Sequence, residues 1–200
     1  MIRPIVLAAV IGCALAGAAA AADAWTGPDR KRTPALMRVD VDFAMTELCF
    51  PWISGDSDPA KDRTGVIQRR MVNPAVGSRM YFVGGANLVV TLERSGSARS
   101  CTLLARAGDP AVLRAELDGA MARWPQAMTP GGYQYPANAY ARRELFCAPP
   151  AGPHDGLLVS TGRPNDSGTP RMMVTLMRSA ERSPRCDGVP PGEAARKLGL

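Results

Sequence analysis

The chain has 200 residues and a formal net charge of +6, from 24 Lys plus Arg against 18 Asp plus Glu. Its lysines are Lys31, Lys61 and Lys197, so the cationic charge is almost wholly arginine, scattered except for Arg30-Lys31-Arg32. Scattered charge on a chain read as exported speaks against nucleic acid as a partner, and a single histidine with no C-x-x-C speaks against a zinc centre or other bound cofactor.

The chain opens MIRPIVLAAVIGCALAGAAAAADAW. One basic residue, Arg3, precedes an uncharged run from Ile5 to Ala22 that ends in small residues before Asp23. That pattern predicts a secretory signal peptide over residues 1–22, cleaved near Ala20–Ala22. Two alternatives stand beside it. The leader is retained as an anchor, or the V-I-G-C box at 10–13 is lipidated at Cys13; only in those cases does the chain meet a membrane. Removal of the leader leaves about 178 residues, a common size for one domain with its own core.

Residues 23–38 read as an extended, proline-containing arm, and 39–186 as a single domain. In VDFAMTELCFPW, Met45, Leu48, Cys49 and Trp52 fall at i, i+3, i+4 and i+7. This is a helical stripe with Asp42 as its cap, ended or distorted near Phe50 by Pro51. Asp58-Pro59 predicts a second helix reaching about Arg70. The period then changes. Three strand-like runs in RMYFVGGANLVVTLERSGSARSCTLLARAG are separated by G-G-A-N and S-G-S-A turns. Leu88, Val90 and Leu92 share one face of the second run, as Cys101, Leu103 and Ala105 do in the third.

GDPAVLRAELDGAMARWP predicts the clearest helix, with Asp109 as cap, Pro110 in the first turn and Pro125 beyond the end. Leu113, Leu117, Met121 and Trp124 line one side of it, a stripe suited to cover the sheet. After the proline- and glycine-rich crossing PGGYQYPANAY, three more strands are expected at 140–147, 157–161 and 172–178. The tail from Asp187 to Leu200 is loose, with a short helix candidate at 192–197. The fold expected is α+β, ordered helices-βββ-α-βββ, with about six antiparallel strands in one sheet or in two half-sheets.

LVVTLERSGSARSC at 88–101 is echoed by MVTLMRSAERSPRC at 173–186, and TELCFP at 46–51 by RELFCAP at 143–149. A weak internal duplication accounts for both echoes. Four cysteines follow the leader, an even number that in an oxidising compartment reads as two bridges. Three pairings are open by arithmetic, and the symmetry of the echo selects Cys49–Cys101 and Cys147–Cys186. Closing a loop of that size stabilises by ~4 kcal/mol in the chain-entropy account.

Candidate chemistry is sparse. His154-Asp155 sets the lone histidine beside a carboxylate, in a proline- and glycine-rich stretch that reads as an exposed turn. Asp56, Asp58 and Asp62 lack the glycine and glutamate of a calcium loop. Met172, Met173 and Met177 alternate between two strand faces, as core packing requires. There is no G-x-S-x-G, H-E-x-x-H or phosphate-cradling loop. The one surface candidate is an aromatic and basic patch of Trp124, Tyr133, Tyr135, Tyr140, Arg142 and Arg143, suited to an anionic polymer such as lipopolysaccharide or peptidoglycan.

CTLLARAGDPAVLRAELDGAMARWP at 101–125, with ELCFP upstream, resembles small exported alphaproteobacterial-type proteins of unknown function with paired cysteines. The resemblance covers about half of the mature chain and implies export and paired cysteines, without catalytic residues. Cys147 and Cys186 fall outside the shared pattern, so the second bridge rests on the echo. The function expected is non-catalytic binding of an envelope component or protein in the periplasm. An envelope hydrolase acting on cell wall or lipid, and a tethered structural protein, are the alternatives.

Overall fold

The computed structural model describes residues 40–61, 67–73, 78–83, 87–136, 140–163, 169–190 and 193, with 67–73 described by backbone alone. The leader with Cys13, the arm with Arg30-Lys31-Arg32, Asp62 and, apart from Glu193, the helix candidate at 192–197 lie outside the described residues.

The first helix is already wound at residues 40–43 and widens into a π-helical turn at Ala44–Cys49, then runs into α1 (Phe50–Ser54). The proline explains the widening. Pro51 offers no N–H, and its ring would press on the carbonyl four residues back. The ladder therefore opens, and the Phe50 N–H bonds to the Met45 carbonyl, five residues earlier. Asp42 is thus inside the helix rather than its cap, and the helix passes Pro51 instead of stopping there. Met45, Leu48, Cys49 and Trp52 are all buried, as their spacing requires.

The second helix expected from Asp58-Pro59 is not what forms. Residues 59–61 make a turn, and Ile67–Asn73 is a strand, β1, paired antiparallel with β2 (Ser78–Val83). Then come β3 (Leu88–Ser95), β4 (Ala98–Ala105), α2 (Pro110–Met121), the two-residue β5 (Thr129–Pro130), β6 (Arg142–Cys147), β7 (His154–Thr161) and β8 (Met172–Ser179). A 3-10 turn, Pro184–Asp187, follows. The class is α+β, and the strands form one sheet in the order β1-β2-β3-β4-β8-β7-β6-β5, every pair antiparallel.

This order has an internal symmetry. Each half is a helix followed by a four-strand meander, and the halves meet through their last strands, with Thr102 of β4 opposite Thr175 of β8 and their hydroxyls 3.2 Å apart. Both expected bridges are present, Cys49–Cys101 at a Cα separation of 5.3 Å and Cys147–Cys186 at 5.9 Å. The sequence echo nevertheless aligns β3 with β8, whereas the meanders equate β4 with β8. It also matches a helical cysteine, Cys49, to one in a strand, Cys147.

Alternation along the strands separates two faces. Tyr81, Val83, Leu88, Val90, Leu92, Cys101, Leu103, Ala105, Leu157, Val159, Met172, Val174 and Leu176 are buried beneath the helices. The α2 stripe of Leu113, Leu117 and Ala120 closes over them, begun by Asp109, whose carboxylate accepts from the Ala111 N–H at 2.7 Å. Each large side chain so buried contributes ~1.5–3 kcal/mol before entropy. Most of the core lies on the helix side, while Val89, Leu145 and Cys147 are buried on the other face. The opposite face carries the second bridge and the 3-10 turn at its β6 end.

Candidate functional site

The site is built at the β6 edge by a strap, residues 131–136, that leaves β5 and crosses to the 3-10 turn. Its backbone is fixed at both sides: the Gly131 N–H donates to Leu145 O at 2.8 Å, that of Gly132 to Cys186 O at 2.9 Å, and that of Tyr133 to Arg185 O at 3.0 Å. Glycine is needed at 132 because a Cβ there would stand 2.8 Å from the backbone nitrogen of Gly188. The local PGGY sequence thereby presses the strap against the turn and leaves Tyr133 and Tyr135 half-buried between the exposed Gly132, Gln134 and Pro136.

The two rings meet edge to face with centroids 4.9 Å apart. The Arg143 guanidinium stands 4.8 Å from the Tyr135 centroid and 5.9 Å from that of Tyr140. Arg185 approaches the same Tyr135 ring at 5.6 Å and donates from Nη1 to its hydroxyl at 2.7 Å. Tyr140 is anchored through its hydroxyl, 3.8 Å from Met173 Sδ. Both cations thus share one aromatic ring.

Between the strap and β6 lies an open groove of about 380 Å³, lined by Tyr133, Gln134, Tyr135, Arg142, Arg143 and Glu144 among others. Its electrostatics are set by pairing. Glu144 is committed to Arg114 of α2 and to Arg142, whose Nη2 is 2.8 Å from Glu144 Oε1. Among the described residues Arg143 and Arg185 have no carboxylate partner, and the buried Arg143 Nε has no hydrogen-bond partner. Arg143 therefore brings uncompensated positive charge to the groove beside aromatic faces, while Arg185 lies at a neighbouring cavity that shares Tyr135.

Tyr133, Tyr135, Tyr140 and Arg143 converge as the sequence patch required, and Arg142 reaches the groove from the helix-side face. Trp124 does not join them. It is 5% exposed, lies in the core on the helix side, and packs on Phe50 with centroids 4.7 Å apart. Arg185 is the residue the sequence did not flag. Its one available signal was its place beside Cys186, the expected partner of Cys147.

His154 is not in an exposed turn; it opens β7 and is half-buried. Strand alternation sends it and Asp155 to opposite faces. Asp155, fully buried, is held on the helix side by Arg178 through two bonds of 2.6 and 2.8 Å. Those bonds hold the Arg178 guanidinium above its ordinary value, against the opposing effect of burial. His154 borders a cavity of about 40 Å³ with Asp155, Tyr135, Leu145, Arg182 and Arg185, but both Asp155 carboxylate oxygens accept from Arg178 rather than from the imidazole. The neighbouring pair in sequence is therefore no catalytic dyad.

Asp56 accepts from the Asp58 N–H at 2.9 Å, an Asx turn, and Asp58 faces Arg79 at 3.5 Å. Met172 is buried in the core while Met173 and Met177 lie on the other face. Among the described residues no cluster of three His, Cys, Asp or Glu could hold a metal ion, and no helix is long and apolar enough to cross a membrane. No protein-family model, curated protein or solved structure matches the chain.

Proposed function

We propose that the chain is an exported periplasmic protein that acts by binding rather than by catalysis, and that its tyrosine- and arginine-lined groove takes an acidic glycan of the envelope. The observation that carries this is the meeting of Tyr133, Tyr135 and Arg143 in one open groove beside β6, with Tyr140 against the same guanidinium and Arg185 held on the Tyr135 ring from a neighbouring cavity. Tyrosine rings offer flat apolar faces with polar tips, which suit the C–H faces and hydroxyls of sugars. A guanidinium beside those rings adds a planar, permanently charged donor suited to oxyanions.

Two further features support it. The strap is bonded on both sides, so the rings are positioned before a ligand arrives and little ordering cost is left to binding. Two disulfides in a chain of this size suit an oxidising compartment.

The test is retention of the mature protein on immobilised acidic and neutral envelope oligosaccharides. The expected result is retention on the acidic matrix alone, lost when Arg143→Glu and Arg185→Glu are combined. Equal retention on both matrices, or retention untouched by the double reversal, would overturn the assignment.

A further inference from the structure

Resting on the groove as the site of an acidic glycan, we infer that this glycan carries a peptide stem. One residue of the stem pairs, strand to strand, with the main chain of Arg143 in β6.

The groove meets β6 edge-on. Its wall takes in the successive residues 142–146 as well as the strap. Successive side chains of a strand point to opposite faces. A groove reached by all five therefore runs along the strand's edge, where main-chain N–H and C=O groups point.

The strap covers only part of this edge. β5 pairs Thr129 with Cys147 and Pro130 with Phe146, and the last bond of that ladder runs from the Gly131 N–H to Leu145 O at 2.8 Å. Continued in register, Tyr133 would stand opposite Arg143. Instead the strap veers away, and the N–H groups of Gly132 and Tyr133 go to Cys186 O and Arg185 O.

Main-chain groups alternate in direction along a strand as side chains do. Leu145 O faces the strap, while the Ala148 N–H faces β7 and donates to Asp155 O at 2.9 Å. Arg143, two residues before Leu145, therefore aims its N–H and C=O into the groove. On the β7 side it stands opposite Ser160 in a pair that exchanges no main-chain bonds. Among the described residues nothing bonds these two groups.

Their complement is one amino-acid residue in extended form. Its own N–H and C=O point the same way and exchange two bonds with Arg143, closing one rung of an antiparallel ladder. A single acetamido group on a sugar cannot close it, because the N–H and C=O of one trans amide point in opposite directions. At about 380 Å³ the groove lies near the small end of ligand sites, the scale of one sugar ring beside one or two residues of extended chain. The stem lies along β6, and the ring meets Tyr133 and Tyr135 on the opposite wall.

Titration of the oxidised, isotope-labelled protein, followed through its amide signals, decides the matter. Four probes are compared: N-acetylmuramyl-L-alanyl-D-glutamate, its analogue N-methylated at alanine, N-acetylmuramate without a peptide, and N-acetyl-L-alanyl-D-glutamate without a sugar. The first is expected to bind about tenfold more tightly than the second or third, and more tightly than the fourth. It is also expected to slow exchange of the Arg143 amide proton by about the same factor. Arg143→Gln keeps the main chain and removes the charge. It is expected to weaken all four probes while leaving the ratio of first to second unchanged. That ratio is read in the wild type too, so it stands even where the variant folds poorly.

N-acetylmuramate or the methylated analogue binding as tightly as the first probe would overturn the peptide rung and leave the acidic-glycan groove standing. Preference for the first probe without protection of the Arg143 amide would place the stem elsewhere and overturn the inference as well. The sugar-free dipeptide binding as tightly as the first would overturn the glycan reading beneath it and point to a protein segment. If none of the four binds, both readings fall.

Discussion

Cys147 and Cys186, joined at a Cα separation of 5.9 Å, tie together the two elements that carry the site's cations. Arg143 precedes Cys147 in β6, and Arg185 is the immediate neighbour of Cys186 in the 3-10 turn. The bridge is thus the covalent reason the two guanidinium groups meet at Tyr135. Replacing both cysteines by serine should cost up to ~4 kcal/mol of stability by the chain-entropy account, read as a lower denaturation midpoint. Glycan binding should be lost in the same variant at temperatures where it remains folded. Binding that survives in the folded variant would separate the bridge from the site.

Gly132 is placed against the backbone of Gly188, where a Cβ would sit 2.8 Å from nitrogen. Gly132→Ala must therefore push the strap off the 3-10 turn and break the Gly132 N–H bond to Cys186 O. A loss of about 1–3 kcal/mol is expected from the overpacking, together with weakened binding, whereas Gly119→Ala, where a Cβ meets nothing within 4 Å, should stabilise α2 by roughly 0.5–1 kcal/mol. Paired thermal melts of the two variants check the contrast.

Asp155 and Arg178 form the buried ion pair beneath the helices. Arg178→Ala leaves a fully buried carboxylate without its partner and should cost about 3–5 kcal/mol. Replacing both members by apolar residues of similar volume, Asp155→Leu with Arg178→Met, should recover most of that loss. The Arg178 pKa is raised, so its contribution is complete below the ordinary arginine value and disappears only above the raised one. Between neutrality and about pH 10 the stability gap between wild type and Arg178→Ala should stay constant. A gap that closes over that window contradicts the assignment of the pair.

Much of the fold is legible in the sequence where burial is one-sided. In β3, β4 and β8 every second residue is buried under the helices, as in Leu88-Val90-Leu92, Cys101-Leu103-Ala105 and Met172-Val174-Leu176, and α2 carries one apolar stripe. Period therefore specifies them, although Val89, Leu104, Met173 and Met177 lie on the other face. β1 is hidden in the sequence because Asp58-Pro59 imitates a helix start, while Ile67–Asn73 becomes a strand through pairing with β2, a non-local term. His154 is hidden likewise, because P-P-A-G-P-H-D-G is turn chemistry, yet the strand begins at the histidine itself. Trp124 is instructive. It continues the α2 stripe that must face the core, and that same spacing argues against placing it on a surface patch. Arg185 lies fifty residues from Tyr135, and no local pattern links them; only the cysteine pairing does.

Binding at the partly exposed Arg143 guanidinium should weaken with ionic strength, because partly exposed charges are screened over about 8–10 Å near physiological salt. Affinity for an acidic glycan measured at rising salt should fall steadily in the wild type and much less in Arg143→Ala. A salt-independent affinity would mean that the ligand is held by packing alone.

The most direct test of the groove is a map of backbone amide shifts as an acidic envelope oligosaccharide is titrated into the oxidised protein. The account predicts shifts concentrated at residues 131–135, 142–145 and the non-proline residues of 182–186, and quiet amides along α2. Shifts centred on the helix side of the sheet, or none anywhere at saturating ligand, would contradict it.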